Sequence, residues 1–403
     1  MNYTRQEVEQ FVVEEDVKFI HLTFCDVYGN LKNRTIMPGE LAKAFDFGIS
    51  ADAWTIAGFD VSDTRSDLLL RPDPSTLAVL PRREDQDRAI RMFADIIWPD
   101  GRPFEADTRY ILKKAVEEAE SRGVFFSFST EQEFYLLEKD QNGEPSAKPA
   151  DRGSYMDIFP DDRCEDIRAE ICGCLEKMGI FPESAHHEEG PGQNEIDIRF
   201  GFPLSAADNA MSYRAVVRSI SDSHGLAAVF SPKPLDNEPG NGMHINYAVT
   251  DSQGIDLIEP ATAGILNKIP EITVFLNPVE ESYRRIGGNK APCFITWACN
   301  NRSQLIRIPE SREEYRRGEL RSPDPSSNPY LALALVIRAA LYGIGNNLEL
   351  QPETELNMFR EDRETLKKYH QLPGTLSEAR YNAASSEFIK ESLPVSVIAA
   401  YVR

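Results

Sequence analysis

Four short stretches of this chain carry charged or coordinating side chains at every second position. Glu131 and Glu133 alternate with Gln132 and Phe134, and Glu195, Asp197 and Arg199 alternate with Ile196, Ile198 and Phe200. His244 and Asn246 flank Ile245, and Glu319 and Arg321 flank Leu320. Successive side chains of a strand point to opposite faces, so each set is aimed at one face of a sheet. For any single pair the plain alternative is the solvated outer face of an amphipathic strand. Taken together, about five carboxylates with one imidazole make the oxygen-rich ligand set that suits Mg²⁺ or Mn²⁺ rather than zinc. Two such clusters facing one channel would neutralise the phosphates of a nucleotide. The segment HHEEGPGQNE adds Glu188, which a Gly-Pro-Gly turn can fold toward Glu195 and a shared ion. Of the adjacent His186 and His187, at least one is expected to be scaffold, because a lone strand histidine is more often hydrogen-bonded structure than ligand.

The elements that must position these residues can be read in outline. A chain of 403 residues suggests two domains, or a large α/β unit with a smaller one. An amphipathic helix is expected over about residues 4 to 15. The stretch KFIHLTFCDVYGNLKNRTI then reads as two strands around a Tyr-Gly-Asn turn. LAVLP and the segment around Ile90 to Ile97 are further strand candidates, and the Trp-Pro-Asp-Gly-Arg-Pro cluster at 98–103 punctuates them. We place a domain boundary there, giving 1–102 and 103–403. A helix over about 107 to 122 and a strand through FFSFSTEQEFYLLE follow. No internal repeat is visible, which argues against a solenoid.

Composition narrows the function classes. A formal net charge of -21 opposes binding to nucleic acid or to an anionic membrane surface, both of which depend on Lys/Arg clusters. The start, MNYTRQEVEQF, has no basic region followed by an apolar one, and no apolar run reaches about eighteen residues. A soluble, cytoplasmic protein acting on small molecules is expected. Six cysteines without paired CxxC motifs are expected to be reduced and mostly buried.

Motifs in order over almost the whole chain resemble the class I glutamine synthetases: SDLLLRPDPST (66–76), EQEF (131–134), HHEEGPGQNEI (186–196), FSPKP (230–234), GNGMH (240–244), NRSQLIRIP (301–309) and ELRSPDPSSNPYLALA (319–334). The resemblance implies an α+β fold, with a small N-terminal β-grasp domain followed by a large catalytic domain on a curved antiparallel sheet with helices. It implies an ATP-dependent ligase that phosphorylates the γ-carboxylate of glutamate and passes the acyl group to ammonia or an amine, with two or more Mg²⁺ or Mn²⁺ ions per site. One metal would be held by Glu133, Glu188 and Glu195, the other by Glu131, His244 and Glu319. Glu183, Arg302 and Arg307 resemble the ATP-contacting residues. Arg285 and Arg321, with Gly240 and His244 nearby, resemble the substrate-binding set. Asp52 resembles the amine-binding acid given to a neighbouring subunit, which implies a homo-oligomer, a hexameric ring or a double-ring dodecamer.

Departures from the family pattern fall around the amine. The family's flap, NSYKRL followed by a glutamate before Ala-Pro, reads here ESYRRIGGNKAP. Glu281 replaces the asparagine, one residue is missing, and Lys290 takes the place of the glutamate that helps bind and deprotonate ammonium. A cation beside an ammonium site costs roughly 1 to 4 kcal/mol at about 4 Å, depending on the effective dielectric. Trp54 and Thr55 stand where serines are usual, so Trp54 is either inert packing or the lining of a pocket for an organic amine. Pro239 replaces the asparagine before GNGMH. Phe359 aligns with the tyrosine that some relatives adenylylate, so that control is expected to be absent. The chain ends before the family's final helix, which implies either an incomplete chain or a weakened double ring. Two readings remain, a γ-glutamyl-amine ligase and an ordinary glutamine synthetase; a non-catalytic sensor of ATP and glutamate has no reason to keep six metal-ligating residues.

Overall fold

The computed structural model describes residues 3–81, 87–288, 290–310 and 316–403. Asn289, inside the flap segment, lies outside the described residues. Helix α1 (Arg5–Glu14) opens the chain behind a capping box in which Thr4 and Glu7 satisfy each other's backbone N–H groups. Strands β1 (Phe19–Cys25) and β2 (Leu31–Ile36) form the expected antiparallel hairpin. After α2 (Leu41–Phe47) come β3 (Ile49–Asp52), β4 (Asp67–Pro72), β5 (Ala78–Val79) and β6 (Ala89–Ile97). The strands are ordered β2-β1-β6-β4-β3, with β5 on β6 and β1 parallel to β6. LAVLP contributes only the two residues of β5, since Pro81 has no N–H to extend the ladder.

Helix α3 (Thr108–Ser121) leads to β7 (Val124–Lys139), a sixteen-residue strand. Then follow β8 (Pro145–Pro149), α4 (Glu165–Lys177), β9 (Pro182–His187), β10 (Gln193–Ile198), α5 (Pro203–Ser223), β11 (Leu226–Val229) and β12 (Met243–Asp251). After α6 (Ile258–Leu276) and α7 (Glu280–Arg285) come β13 (Trp297–Cys299), β14 (Ile306–Ile308), β15 (Gly318–Leu320) and α8 (Pro329–Gly345). The second sheet runs β13-β14-β15-β12-β7-β10-β9, with β8 and β11 also on β7. It is antiparallel except between β13 and β14. Four short helices end the chain, α9 (Arg363–Leu366), α10 (Leu376–Ser385), α11 (Glu387–Ser392) and α12 (Val395–Val402). None of the described helices is long and apolar enough to cross a membrane.

One face of β7 builds the core. Phe126, Phe128, Phe134 and Leu136 are buried there. Helix α8 is apolar around most of its circumference, as a helix enclosed by protein must be. It packs on α3 and α6, crossing α6 where Gly264 faces Gly343: a Cβ on Gly264 would lie 2.6 Å from the Gly343 nitrogen, so both positions need glycine for the helices to meet. Asn328 caps α8 through Tyr330 N–H and donates to the carbonyls of Asp26 and Val27, which fastens the β1–β2 turn to the second sheet's helices.

A buried ion network fastens the two sheets. Arg109 of α3 reaches Asp95 of β6 at 2.7 Å, Asp73 at 2.8 Å and Asp208 of α5 at 3.0 Å. Tyr330 of α8 donates to Asp208 at 2.6 Å. The six cysteines are free, but only Cys25, Cys164 and Cys174 are buried, fewer than the sequence suggested. Removing Arg109 leaves the buried Asp208 without its cation. Arg109→Met is therefore expected to destabilise the protein by about 3–5 kcal/mol, read as a lowered denaturation midpoint. A shift below about 1 kcal/mol, the usual range of an exposed pair, would show that the network is peripheral.

Candidate active site

Strand register brings the alternating residues together. Across the β7–β12 ladder Glu131 faces His244, and across β7–β10 Glu133 faces Glu195 while Glu131 faces Asp197. Glu319 of β15 faces Asn246 of β12 on one side and Arg307 of β14 on the other. Arg321 follows directly after β15 and pairs with Glu319. The Gly-Pro-Gly turn returns the chain so that Glu188 lies near Glu195, as expected. Arg199 lies beyond β10, is exposed and is not among the cleft-lining residues.

These side chains line a cleft of about 460 Å³. Of the residues singled out from the sequence, Glu131, Glu133, Glu188, Glu195, Gly240, His244, Arg285, Lys290, Arg302, Arg307, Glu319 and Arg321 line it. Glu183 lines an adjoining cavity that shares Glu131, Ser184, Asp197 and Arg317 with the cleft. Asp52 lies away from both. It is exposed on the first sheet, where its carboxylate accepts from the Trp54 N–H at 3.1 Å.

The cleft is polarised. On one wall, donor atoms of Glu131, His244 and Glu319 lie within 4.8 Å of one another, as do those of His186, Glu188 and Glu195 and those of Glu131, Glu195 and Asp197. Glu133 joins this wall through the Gly242 N–H, which donates to it at 2.7 Å. Burial and the neighbouring Glu188 push Glu133 up to about 7. Burial and Glu133 push Glu195 well above the carboxylate range, and burial with Glu131 raises Asp197. Burial also acts to raise Glu188, but hydrogen bonds from His186 and from the Glu189 N–H outweigh it and hold this carboxyl low. Burial and Arg321 keep the His244 ring neutral, the form that offers a lone pair to a metal. Burial together with mutual repulsion raises three carboxyls, and such a cluster beside one neutral imidazole fits hard divalent cations such as Mg²⁺ or Mn²⁺.

Cationic side chains line the same cleft. Arg307 Nε lies 2.9 Å from Glu319 Oε2. Arg285 is buried and donates to the Ser322 and Arg321 carbonyls at 2.8 and 3.2 Å. Gly240 lets the chain pass this arginine, since a Cβ there would lie 2.8 Å from its Cγ. Lys290, expected as a lone cation, is paired with Glu189 at 2.6 Å. Glu281 is not among the cleft-lining residues.

Asp197, aimed at this face by its alternation with Glu195, and His186, left open between ligand and scaffold, both line the cleft. Sequence reasoning passed over Glu189, whose pairing with Lys290 leaves no local signal. His187 is the scaffold histidine, fully buried with Nε2 3.0 Å from Asp151 and Nδ1 2.6 Å from the Glu188 carbonyl.

Residues 16–99 match the family model for the glutamine synthetase β-grasp domain, and residues 105–403 match that for the glutamine synthetase catalytic domain. The glutamine synthetase of Methanosarcina mazei is 40% identical, covering 99% of this chain and 92% of its own length. That of Clostridium saccharobutylicum is 39% identical, covering 99% and 94%. Among solved structures, GmaS in complex with ADP superposes with a TM-score of 0.88 at 27% identity, covering 98% of this chain and 93% of that one.

The carboxylate wall has two testable consequences. Glu319→Ala or Glu133→Ala is expected to abolish activity, since each removes a hard ligand with few substitutes; full turnover in excess chelator would contradict this. The second concerns pH. Glu133 titrates near 7 when folded and near 4.5 when unfolded, so its contribution to stability falls as pH rises from about 4.5 through about 7. A divalent cation relieves that cost. The gain in melting temperature on adding Mg²⁺ to chelator-treated protein is expected to be larger at pH 8 than at pH 5; an equal gain at both would contradict the assignment.

Proposed function

The chain belongs to the glutamine synthetase family, and from that premise we propose that its nucleophile is an organic amine, making it a γ-glutamyl-amine ligase. Membership makes it an ATP-dependent ligase of a family that uses divalent metals and takes glutamate with ammonia or an amine. The observation that carries the proposal is Lys290, an ammonium group inside the cleft where relatives place a flap glutamate. The likeness to GmaS supports the same reading. The identity of 37–40% to proteins named glutamine synthetase supports ammonia instead.

Glu133, Glu188 and Glu195 would hold one metal, and Glu131, His244 and Glu319 the other; when bound, these ions would supply neutralising charge to the phosphates of ATP. Arg302 and Arg307 bind and orient those phosphates, with Glu183 on the nucleotide side. Arg285 fixes the substrate carboxylate beside Gly240, and Arg321 stabilises charge on the transferring phosphoryl group. The γ-carboxylate of glutamate attacks the terminal phosphorus, ADP leaves, and the amine nitrogen then displaces phosphate from the acyl phosphate. The amine must attack in its neutral form. Asp52 and Trp54, exposed in this chain, complete the site of an adjacent subunit of a homo-oligomer, and 1–102 and 103–403 act as its two domains.

Phosphate release from ATP and glutamate, followed with ammonium and with a panel of organic amines, tests the assignment. At least one organic amine is expected to exceed ammonium in kcat/KM by about tenfold, the equivalent of about 1.4 kcal/mol in transition-state binding. Lys290→Glu is expected to raise turnover with ammonium. Should ammonium be the best nucleophile of the unmodified protein, and Lys290→Glu lower its use, ordinary glutamine synthetase is the answer.

A further inference from the structure

The first sheet and the helices beside it leave a space between them. In the register of β1 with β6, His21 stands opposite Arg91 and Thr23 opposite Phe93, and strand alternation puts these side chains on one face. Helix α5 presents Ser212, Ala215, Val216, Ser219 and Ile220, a single stripe at helical spacing. Both sets line a cavity of about 380 Å³, to which Leu31, Leu80 and Met178 add further apolar wall. It shares no lining residue with the catalytic cleft. Its volume is in the range of about 300–1,000 Å³ usual for small-molecule sites, and most of its surface is apolar, as in such sites.

Arg91 is the exception to the apolar lining. It is only 8% exposed, and among the described residues no carboxylate lies within ion-pair distance of it. Asp208, whose charge it feels, is engaged by Arg109 at 3.0 Å and by the Tyr330 hydroxyl at 2.6 Å. What Arg91 has is a neutral oxygen and a ring. Its Nη2 donates to Ser212 Oγ at 2.9 Å, and its guanidinium carbon lies 4.2 Å from the centroid of Phe93. Burial pulls the guanidinium down to about 10, the mark of a cation that has lost water without gaining a counter-charge. The chain has 65 Asp and Glu residues, yet none of those described lines this cavity. Lys32, also in the lining, already has Asp26 at 3.6 Å.

We propose that this cavity is a second ligand site, for a monocarboxylate with an apolar body, the carboxylate pairing with Arg91 and the aliphatic or aromatic part lying against α5 and the Phe93 ring. A carboxylate supplies the counter-charge that the buried guanidinium lacks, through a planar fork that matches it. One buried guanidinium sets the class. A dicarboxylate would leave its second charge against apolar wall, where an unpaired ion is costly, and a neutral apolar molecule would leave Arg91 as it is. The site stands independently of the amine assigned to the cleft.

Isothermal titration of the full chain with 3-phenylpropanoate, 3-phenylpropanamide and succinate tests this. The acid is expected to bind about tenfold or more tightly than the amide, the scale of a hydrogen bond between charged groups, and more tightly than succinate. Arg91→Met is expected to lower affinity for the acid to that for the amide, leaving the amide unchanged. Ser219→Trp, which fills the cavity from an exposed position on α5, is expected to abolish binding of both and so places them here rather than in the cleft. It leaves Arg91 intact, so the site remains testable should Arg91→Met fail to fold. The proposal is overturned if the unmodified protein does not bind the acid, if it binds acid and amide equally, if succinate binds more tightly than the acid, if Arg91→Met leaves the acid's affinity unchanged, or if Ser219→Trp binds the acid as before.

Discussion

Glu133 of β7 stands directly opposite Glu195 of β10, and Glu131 opposite Asp197, in a ladder where like charges facing each other are destabilising. Partial burial sharpens the repulsion, and protons or cations must relieve it. The sheet tolerates the arrangement because its other face is committed to the core. Phe134, Ile196 and Ile198 are buried on the side away from the cleft. A one-residue slip of β7 would move both carboxylates into that core and Phe134 into the cleft, so hydrophobic burial fixes the register that the charges oppose. A metal-binding wall is the use we propose for this constraint.

The arginines of the cleft answer the same constraint. Arg307 and Arg321 both engage Glu319, while Glu319 also lies 3.5 Å from His244 Nδ1. One carboxylate thus joins the acidic cluster to the arginines. That junction explains how Glu319 can be almost fully buried: a charge that faces two guanidinium groups needs little help from water.

Features with local period are legible in the sequence alone. Alternation on β7 and β10, the β1–β2 hairpin and helix α3 are set by side-chain periodicity and turn chemistry within a few residues. The Arg109 network is not legible there, because Asp73, Asp95 and Asp208 come from distant segments and each reads alone as a surface acid. Glu189 is hidden for the same reason. Next to Glu188 it reads as a second member of an acidic pair, and its partner lies far along the chain on the flap. Asp52 shows the limit in the other direction. Its role comes from resemblance, and within this chain its carboxylate only caps a turn.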